Sequence, residues 1–508
     1  MADSCHRPFV QENLMKPEIE KQTALEAHPR RARLRAVGLL VGASLALCAT
    51  AAPATRADDD DQEDCGNWPM YNHDRSGTRF NSEENTLRAS NIAGLHVKWQ
   101  RDTPAPVSGT PVVVDNTVYA GDLSGKFYAL KSDGTLLWST QLLGPITASA
   151  LVTGNMLVLG DISGNLYGLN RKTGAAVWSF RPDPHPVAAI WGSPTKIGSN
   201  VAVGVASNEE TAAGDPTYPC CSSRGSLVLL NPKTGAVVWQ TPTITNAERA
   251  SGASGASIWS SPTYDAARNL IYVTTGNNFS QPTNGTSDAI IAFNARTGAI
   301  KWVNQRQPND EWNFRFPASP DHPDADFGDS PQVYNLSNGR RVVGAGQKSG
   351  FYHVVDATTG VLINQNQVEV GGLLGGLFAD TAVANGIVFA NGINWPGINA
   401  GEAPVAGDLI ALSGDGSQEL WRFTTPSSPD VAGVAVANSI VYFTSSFAQK
   451  LYGLSAATGA KLVEVPLSLV SYSGPAISRG QIYVGTGDAV QAFGAAQSLP
   501  GAIVALGL

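Results

Sequence analysis

Two adjacent cysteines, Cys220 and Cys221, are the sharpest chemical feature of this 508-residue chain. Neighbouring Cα atoms stand about 3.8 Å apart across a trans peptide, below the usual disulfide range of about 4.4 to 6.8 Å, so bridging them would close a strained eight-membered ring. Strain of that kind is seldom kept without a use. Two free thiols, or one thiol bonded to Cys65, are the alternatives. Just upstream stand Glu209 and Glu210. Carboxylates are hard oxygen ligands for a hard cation, although a neighbouring Glu pair is as readily a solvated loop. Five of the 11 tryptophans, Trp68, Trp191, Trp259, Trp312 and Trp395, fall outside the register kept by the rest.

That register is a repeat, and a repeat must be read before anything else. Each unit is an apolar strand ending in Gly, a turn, a second strand, a T-G or D-G turn, then a strand that commonly ends in Trp. Val118-Tyr-Ala-Gly121, Phe127-Tyr-Ala-Leu130, Asp133-Gly134 and Trp138 make one copy, and Leu157-Val-Leu-Gly160, Leu166-Tyr-Gly-Leu169, Thr173-Gly174 and Trp178 the next. Turn glycines at 134, 174, 235, 298, 360, 416 and 459 mark seven units, and Gln481-Ile-Tyr-Val-Gly485 begins an eighth. Leu95-His-Val-Lys-Trp99 is an orphan Trp strand. Given to the last sheet, it would close the ring and leave no free edge. The sequence therefore predicts an all-β fold, an eight-bladed β-propeller of four-stranded antiparallel blades over about residues 90 to 495, closed by an N-terminal strand. The in-register tryptophans pack between blades on this reading. Four of the five others lie in blades 3 to 6, where the extra residues accumulate, and insertions on one face of a repeat usually build the binding surface.

The propeller, its T-G-x-x-x-W repeats and the vicinal cysteines resemble the quinoprotein alcohol dehydrogenases, which hold pyrroloquinoline quinone (PQQ) and usually Ca²⁺ on the axis. Segment spacing and the blade-3 cysteine pair are most similar to the polyvinyl alcohol dehydrogenase group. The resemblance implies that Glu209 and Asn277 are metal ligands and that Trp259 is the floor under the quinone, with the Cys220-Cys221 disulfide stacked opposite. Stacking a planar cofactor needs flat apolar surfaces. It also implies that Lys348 faces the reactive carbonyls, where a cation stabilises developing negative charge, and that Asn394 and Trp395 meet the cofactor's polar edge. Arg224 would pair a cofactor carboxylate, which a guanidinium fork fits. Where family members carry a catalytic Asp after Trp312, this chain has Asn313. An amide cannot take a proton near neutral pH, so Asp310 is the substitute base, with Glu311 and Glu209 behind it; Asn313 could still coordinate metal through its carbonyl oxygen.

Composition narrows the rest. Charge is only 15% of residues against 53 Gly, as short strands and tight turns require. Residues 30–35 (RRARLR), the apolar run at 36–49 and the small residues up to 57 read as a secretory signal peptide, so 1–57 is a leader, 58–508 a single propeller domain, and the protein periplasmic or secreted. The apolar run is too short to span a bilayer. The mature part keeps 26 basic against 37 acidic residues, a formal charge of −11, which excludes a nucleic-acid role. No Cys-x-x-Cys-His, Gly-x-Gly-x-x-Gly, Walker loop or metal-spaced His group occurs, so a fused haem and nicotinamide chemistry are excluded. Electrons would leave to a separate acceptor, with a c-type cytochrome expected. The reading is a PQQ- and Ca²⁺-dependent oxidation of secondary alcohols, polyvinyl alcohol among them, to ketones. The competing reading is a cofactor-free propeller that scaffolds envelope proteins, and Asn313 keeps an inactive relative in view.

Overall fold

The computed structural model of the protein describes residues 66–316, 322–395, 405–489 and 499–508. The leader, Cys65 and Pro396 lie outside the described residues. Eight blades follow one another at 112–141, 151–180, 195–242, 263–305, 332–367, 382–426, 435–466 and 476–507, each with four antiparallel strands. The eighth blade is completed from outside by His96–Thr103, antiparallel to Gly501–Gly507. The ring is thus closed as the orphan Trp strand predicted, with the last strand ending beyond residue 495. Among the described residues no helix is long and apolar enough to cross a membrane.

Middle strands such as Met156–Gly160 are buried along their whole length, whereas outer strands such as Leu136–Gln141 are largely exposed. Blades therefore stack face to face through their middle strands. The Trp-to-glycine step locks them. A Cβ on Gly174 would fall 2.4 Å from the Trp138 ring, and one on Gly235 2.7 Å from Trp178. These turn glycines have φ +72, open to glycine at no steric cost. Trp99, Trp138, Trp178, Trp239 and Trp421 also donate their indole N–H to a carbonyl of the following blade.

Two belts hold the axis. Residues 67–81 run around the ring and hydrogen-bond the central residue of seven innermost strands, at Val113, Val152, Tyr264, Val333, Val383, Val436 and Ile477. Strand edges that face the axis are thereby satisfied by one extended segment. The second belt is made by the residue two positions ahead of each innermost strand. Ser149 N–H donates to Ser193 Oγ (2.9 Å), Ser193 N–H to Ser261 Oγ (2.9 Å), Ser261 N–H to Ser330 Oγ (3.0 Å) and Ser330 N–H to Asp380 Oδ1 (2.5 Å). In blades 7 and 8 the same position is Gly433 and Gly474, and the wholly buried Arg79 guanidinium occupies the space. It donates to the Val434, Tyr71 and Pro475 carbonyls.

Candidate active site

The residue four positions ahead of the innermost strand points at the axis. In blades 3, 4 and 6 that residue is Trp191, Trp259 and Phe378, and these three rings divide the axis into two cavities. Below them lies a chamber of about 170 Å³ bounded by Ser108, Thr147, Ser261, Ser330, Asp380 and Tyr472. Above them lies a cavity of about 300 Å³ whose apolar wall is Trp191, Trp259, Phe279, Trp312, Phe314 and Leu373. Trp259 packs on Phe378 with ring centroids 5.7 Å apart. A flat indole floor under a mostly apolar cavity with a few convergent polar groups fits a planar cofactor.

Its polar wall is carboxylate-rich. Glu210, Asp324, Asp326, Asn277 and Lys348 line it. Lys348 Nζ donates to both oxygens of Asp324 (3.1 and 3.0 Å) and stands 5.9 Å from the Trp259 ring centroid. Asp326 Oδ1 accepts the Asn277 N–H at 2.5 Å. Behind this wall, Asp310 is fully buried and accepts the Ala325 N–H (2.7 Å), and Asp288 is fully buried with neither carboxylate oxygen partnered. One lysine thus shares the wall with three carboxyl groups, and two more lie behind it. Burial pushes Asp324 up to about 7, with Lys348 pulling it down and Asp326 pushing it further up. Burial likewise pushes Asp310 up to about 6 against the Ala325 hydrogen bond. Burial raises Glu210 and Asp288 well above the usual carboxylate range, and the facing acids add to it. Burial alone would lower Lys348, but Asp324, Asp326 and Glu210 outweigh it and hold the ammonium charged.

The residue set also tests for a hard cation. Asn277 donates its amide N–H to Asn278 O (2.8 Å) and Trp312 O (2.6 Å), which leaves its Oδ1 buried, without a partner and turned to accept. An orphaned amide oxygen beside buried carboxylates is the donor chemistry that Ca²⁺ takes. Among the described residues no three His, Cys, Asp or Glu side chains form a metal cage by themselves.

Not every residue read from the sequence reaches this cavity. Trp259, Asn277 and Lys348 line it. Cys220 and Cys221 are disulfide-bonded to each other through a cis peptide with Cα atoms 3.0 Å apart, in place of the trans geometry assumed from the chain. The pair lies beside the wall, with Cys220 Sγ 4.0 Å from Asn313 Nδ2. Glu209 is absent from the wall; its carboxylate is taken up by the loop that carries the disulfide, and the adjacent Glu210 faces the cavity instead. Asn313 accepts the Arg315 N–H and donates to Phe279 O, so its carbonyl oxygen is turned away. Arg224 donates to Ile244 O and stands off the wall. Asn394 and Trp395 are also off it. Their blade-6 strand pairs through Ile393 with Gly376, and so supports the segment bearing Leu373 and Leu374.

Trp191 was read only as a tryptophan outside the repeat register, and the acids Asp324 and Asp326 were not read at all. Trp191 had a signal, because Trp191-Gly-Ser-Pro-Thr195 repeats the Trp259-Ser-Ser-Pro-Thr263 pattern one blade earlier. Asp324 and Asp326 sit in Asp324-Ala-Asp-Phe-Gly-Asp329, an acidic run just ahead of a blade-5 strand that should have marked inward-facing carboxylates.

A family model described as outer membrane protein assembly factor BamB matches residues 83–304 and 405–498, more than half of the chain. The chain belongs to this propeller family. A polyvinylalcohol dehydrogenase of Pseudomonas sp is 28% identical over 455 residues, covering 79% of this chain and 70% of the relative. Another polyvinylalcohol dehydrogenase, from Sphingopyxis sp. (strain 113P3), is 26% identical over 480 residues, covering 83% and 72%. The quinohemoprotein alcohol dehydrogenase from Comamonas testosteroni superposes with a TM-score of 0.72 at 19% identity, over 89% of this chain and 82% of that one, a likeness of fold. The resemblance to quinoprotein alcohol dehydrogenases read from the residues is thus borne out.

Proposed function

We propose that the protein is a PQQ-dependent alcohol dehydrogenase that oxidises secondary alcohols, polyvinyl alcohol among them, to ketones in the periplasm or outside the cell, after removal of the 1–57 leader. The observation that carries this is the axial cavity itself, with an indole floor, a lysine and a wall of buried carboxylates. A bound quinone would supply a hydride acceptor for the alcohol carbon, and a Ca²⁺ ion would supply a Lewis acid. Asn277 Oδ1, Glu210 and Asp326 would hold that ion.

The chain's own residues do the rest. Trp259 would hold the planar ring, and Phe279, Trp312 and Leu373 keep water from the cavity. Asp324 takes the hydroxyl proton at its carboxylate, since it lines the cavity and its elevated pKa suits a base working near neutral pH. Lys348 holds Asp324 in place and offers its charge to oxygen on the cofactor side. Asp310, expected as the base, reaches the wall only through Ala325 and would set the position of the Asp324-Ala-Asp326 turn. Electrons pass to a separate acceptor, a c-type cytochrome on this reading.

Reconstitution with PQQ and Ca²⁺ followed by a dye-linked assay on secondary alcohols tests this. Turnover with a quinone absorption band supports it, and neither cofactor uptake nor dye reduction would leave the scaffold reading that the family description favours. A scaffold has no need to bury four aspartates in and behind one cavity wall that holds a single lysine, a costly arrangement.

A further inference from the structure

The adjacent glutamates of blade 3 divide two tasks. We propose that Glu209 is a positioning residue that clamps the Cys220–Cys221 disulfide at the cavity wall, while Glu210 serves the cavity. Glu209 is fully buried. Its Oε1 accepts from Tyr218 Oη and Ser222 N–H, both at 3.0 Å, and its Oε2 accepts from Ser222 N–H (3.0 Å) and Ser223 N–H (2.6 Å). The donors come from both sides of the cysteine pair, so one carboxylate ties down the two ends of the segment that carries it. His185 Nε2 stands 3.7 Å from Oε1 and 3.1 Å from Ser222 Oγ, closing the same corner. A carboxylate that accepts this many hydrogen bonds has little lone-pair capacity left for a cation.

The far side of the segment is held from blade 4. Arg315 donates to the Tyr218 and Ala213 carbonyls, and Asn313 Nδ2 lies 4.0 Å from Cys220 Sγ. Asn313 is flanked by Trp312 and Phe314, which line the cavity. The disulfide is therefore gripped between Glu209 and the strip that forms the cavity wall, and the height of that wall over a planar ring depends on the clamp. This consequence for the cofactor rests on the function proposed above; the clamp itself does not.

The test compares Glu209→Gln, Glu210→Gln and Tyr218→Phe with the unaltered protein. Gln at 209 keeps the size but sets an amide N–H against the Ser222 and Ser223 N–H donors. In the cofactor-free protein, the Cys220–Cys221 bond of Glu209→Gln should be reduced by dithiothreitol about tenfold faster or more, read by alkylation and mass, because a hydrogen bond to a charged group is worth about 1.5 to 3 kcal/mol. Tyr218→Phe should move the same way by less, and being the milder change it keeps the test usable if Glu209→Gln folds poorly. Tb³⁺ binding, read by tryptophan-sensitised emission, should survive in Glu209→Gln and weaken about tenfold or more in Glu210→Gln. PQQ affinity should fall in Glu209→Gln. Loss of Tb³⁺ binding in Glu209→Gln with unchanged reduction of the disulfide would make Glu209 a metal ligand and overturn the clamp, as would reduction rates equal in all four proteins. If the unaltered protein takes up no PQQ, the dehydrogenase reading fails while the reduction rates still decide the clamp.

Discussion

The two sides of the Trp191–Trp259–Phe378 floor are built on opposite principles. Below it, the serine belt passes four backbone N–H groups to the next blade's side-chain oxygen, Arg79 fills the gap with donors to three carbonyls, and the groups left without a partner are neutral, such as the hydroxyls of Ser108, Thr110 and Thr147. Above it, Asp288 has no partner for either oxygen, and Asn277 Oδ1 and Asp310 Oδ1 have none. Both regions are buried, so solvent does not account for the difference. A satisfied polar ring adds to stability, whereas a starved one costs free energy unless something else binds there. The frame is thus spent on holding the floor level, and the site above is held in a state that a ligand completes.

Changes below the floor should be the most damaging to folding. Arg79→Met removes a buried cation together with its donors to the Val434, Tyr71 and Pro475 carbonyls, Tyr71 O keeping only the Trp68 indole N–H, and a loss of about 3 to 5 kcal/mol in denaturant unfolding is expected. Equal stability of that variant would erase the contrast between the two regions. Above the floor, Lys348→Met should leave the fold standing but cut kcat by about a hundredfold in the reconstituted enzyme, since one preorganised electrostatic group is commonly worth that much. A fall in unfolding free energy as large as that of Arg79→Met would place Lys348 in the frame instead.

The acids should respond with a sign opposite to that of paired surface carboxylates, whose pKa falls on folding. Asp310 titrates at about 6 in the folded protein, above its unfolded value of about 3.9. Between those values the folded state holds the extra proton, so stability is lost as pH rises from about 4 to about 6 and the cost is complete above that. Asp310→Asn should therefore stabilise the cofactor-free protein by about 3 kcal/mol at pH 8 and by nearly nothing at pH 3.5, read from unfolding curves at both. A destabilisation at pH 8 would show the carboxylate to be satisfied. For turnover, Asp324 as base predicts a rate that climbs with pH through about 7 and loses that limb in Asp324→Asn.

The smallest effect lies between blades. Trp138→Phe loses the hydrogen bond to Arg171 O and part of the packing on Gly174, and a cost of about 1 kcal/mol is expected. A cost above that of Arg79→Met would move the ring's main stabilisation from its axis to its inter-blade seams.

Much of this frame was legible in the residues. Spacing of T-G turns and tryptophans is a local signal repeated many times, and a strand missing at one end with a surplus at the other determines the closure. Trp259, Asn277 and Lys348 came from the family resemblance and not from the repeat, whose register Trp259 breaks, and all three line the cavity. Glu209 and Glu210 show where legibility ends. They are adjacent and chemically alike, and only the path of the 218–223 segment decides which is consumed by backbone donors and which faces the cavity. Asp310 and Asp324 divide in the same way, one behind the wall and one in it.

By itself the sequence determined the number of blades, because strand pairing within a blade and its turns depend on residues close together in the chain, and the closure strand, because one Trp strand is left over at the start and one is lacking at the end. Tertiary structure alone decided which carboxylate meets which donor, that Arg79 completes the belt across Gly433 and Gly474, and that three blades raise a floor together. Those outcomes depend on side chains from distant blades meeting at one point, where a shift of a single residue turns a cavity acid into a clamp.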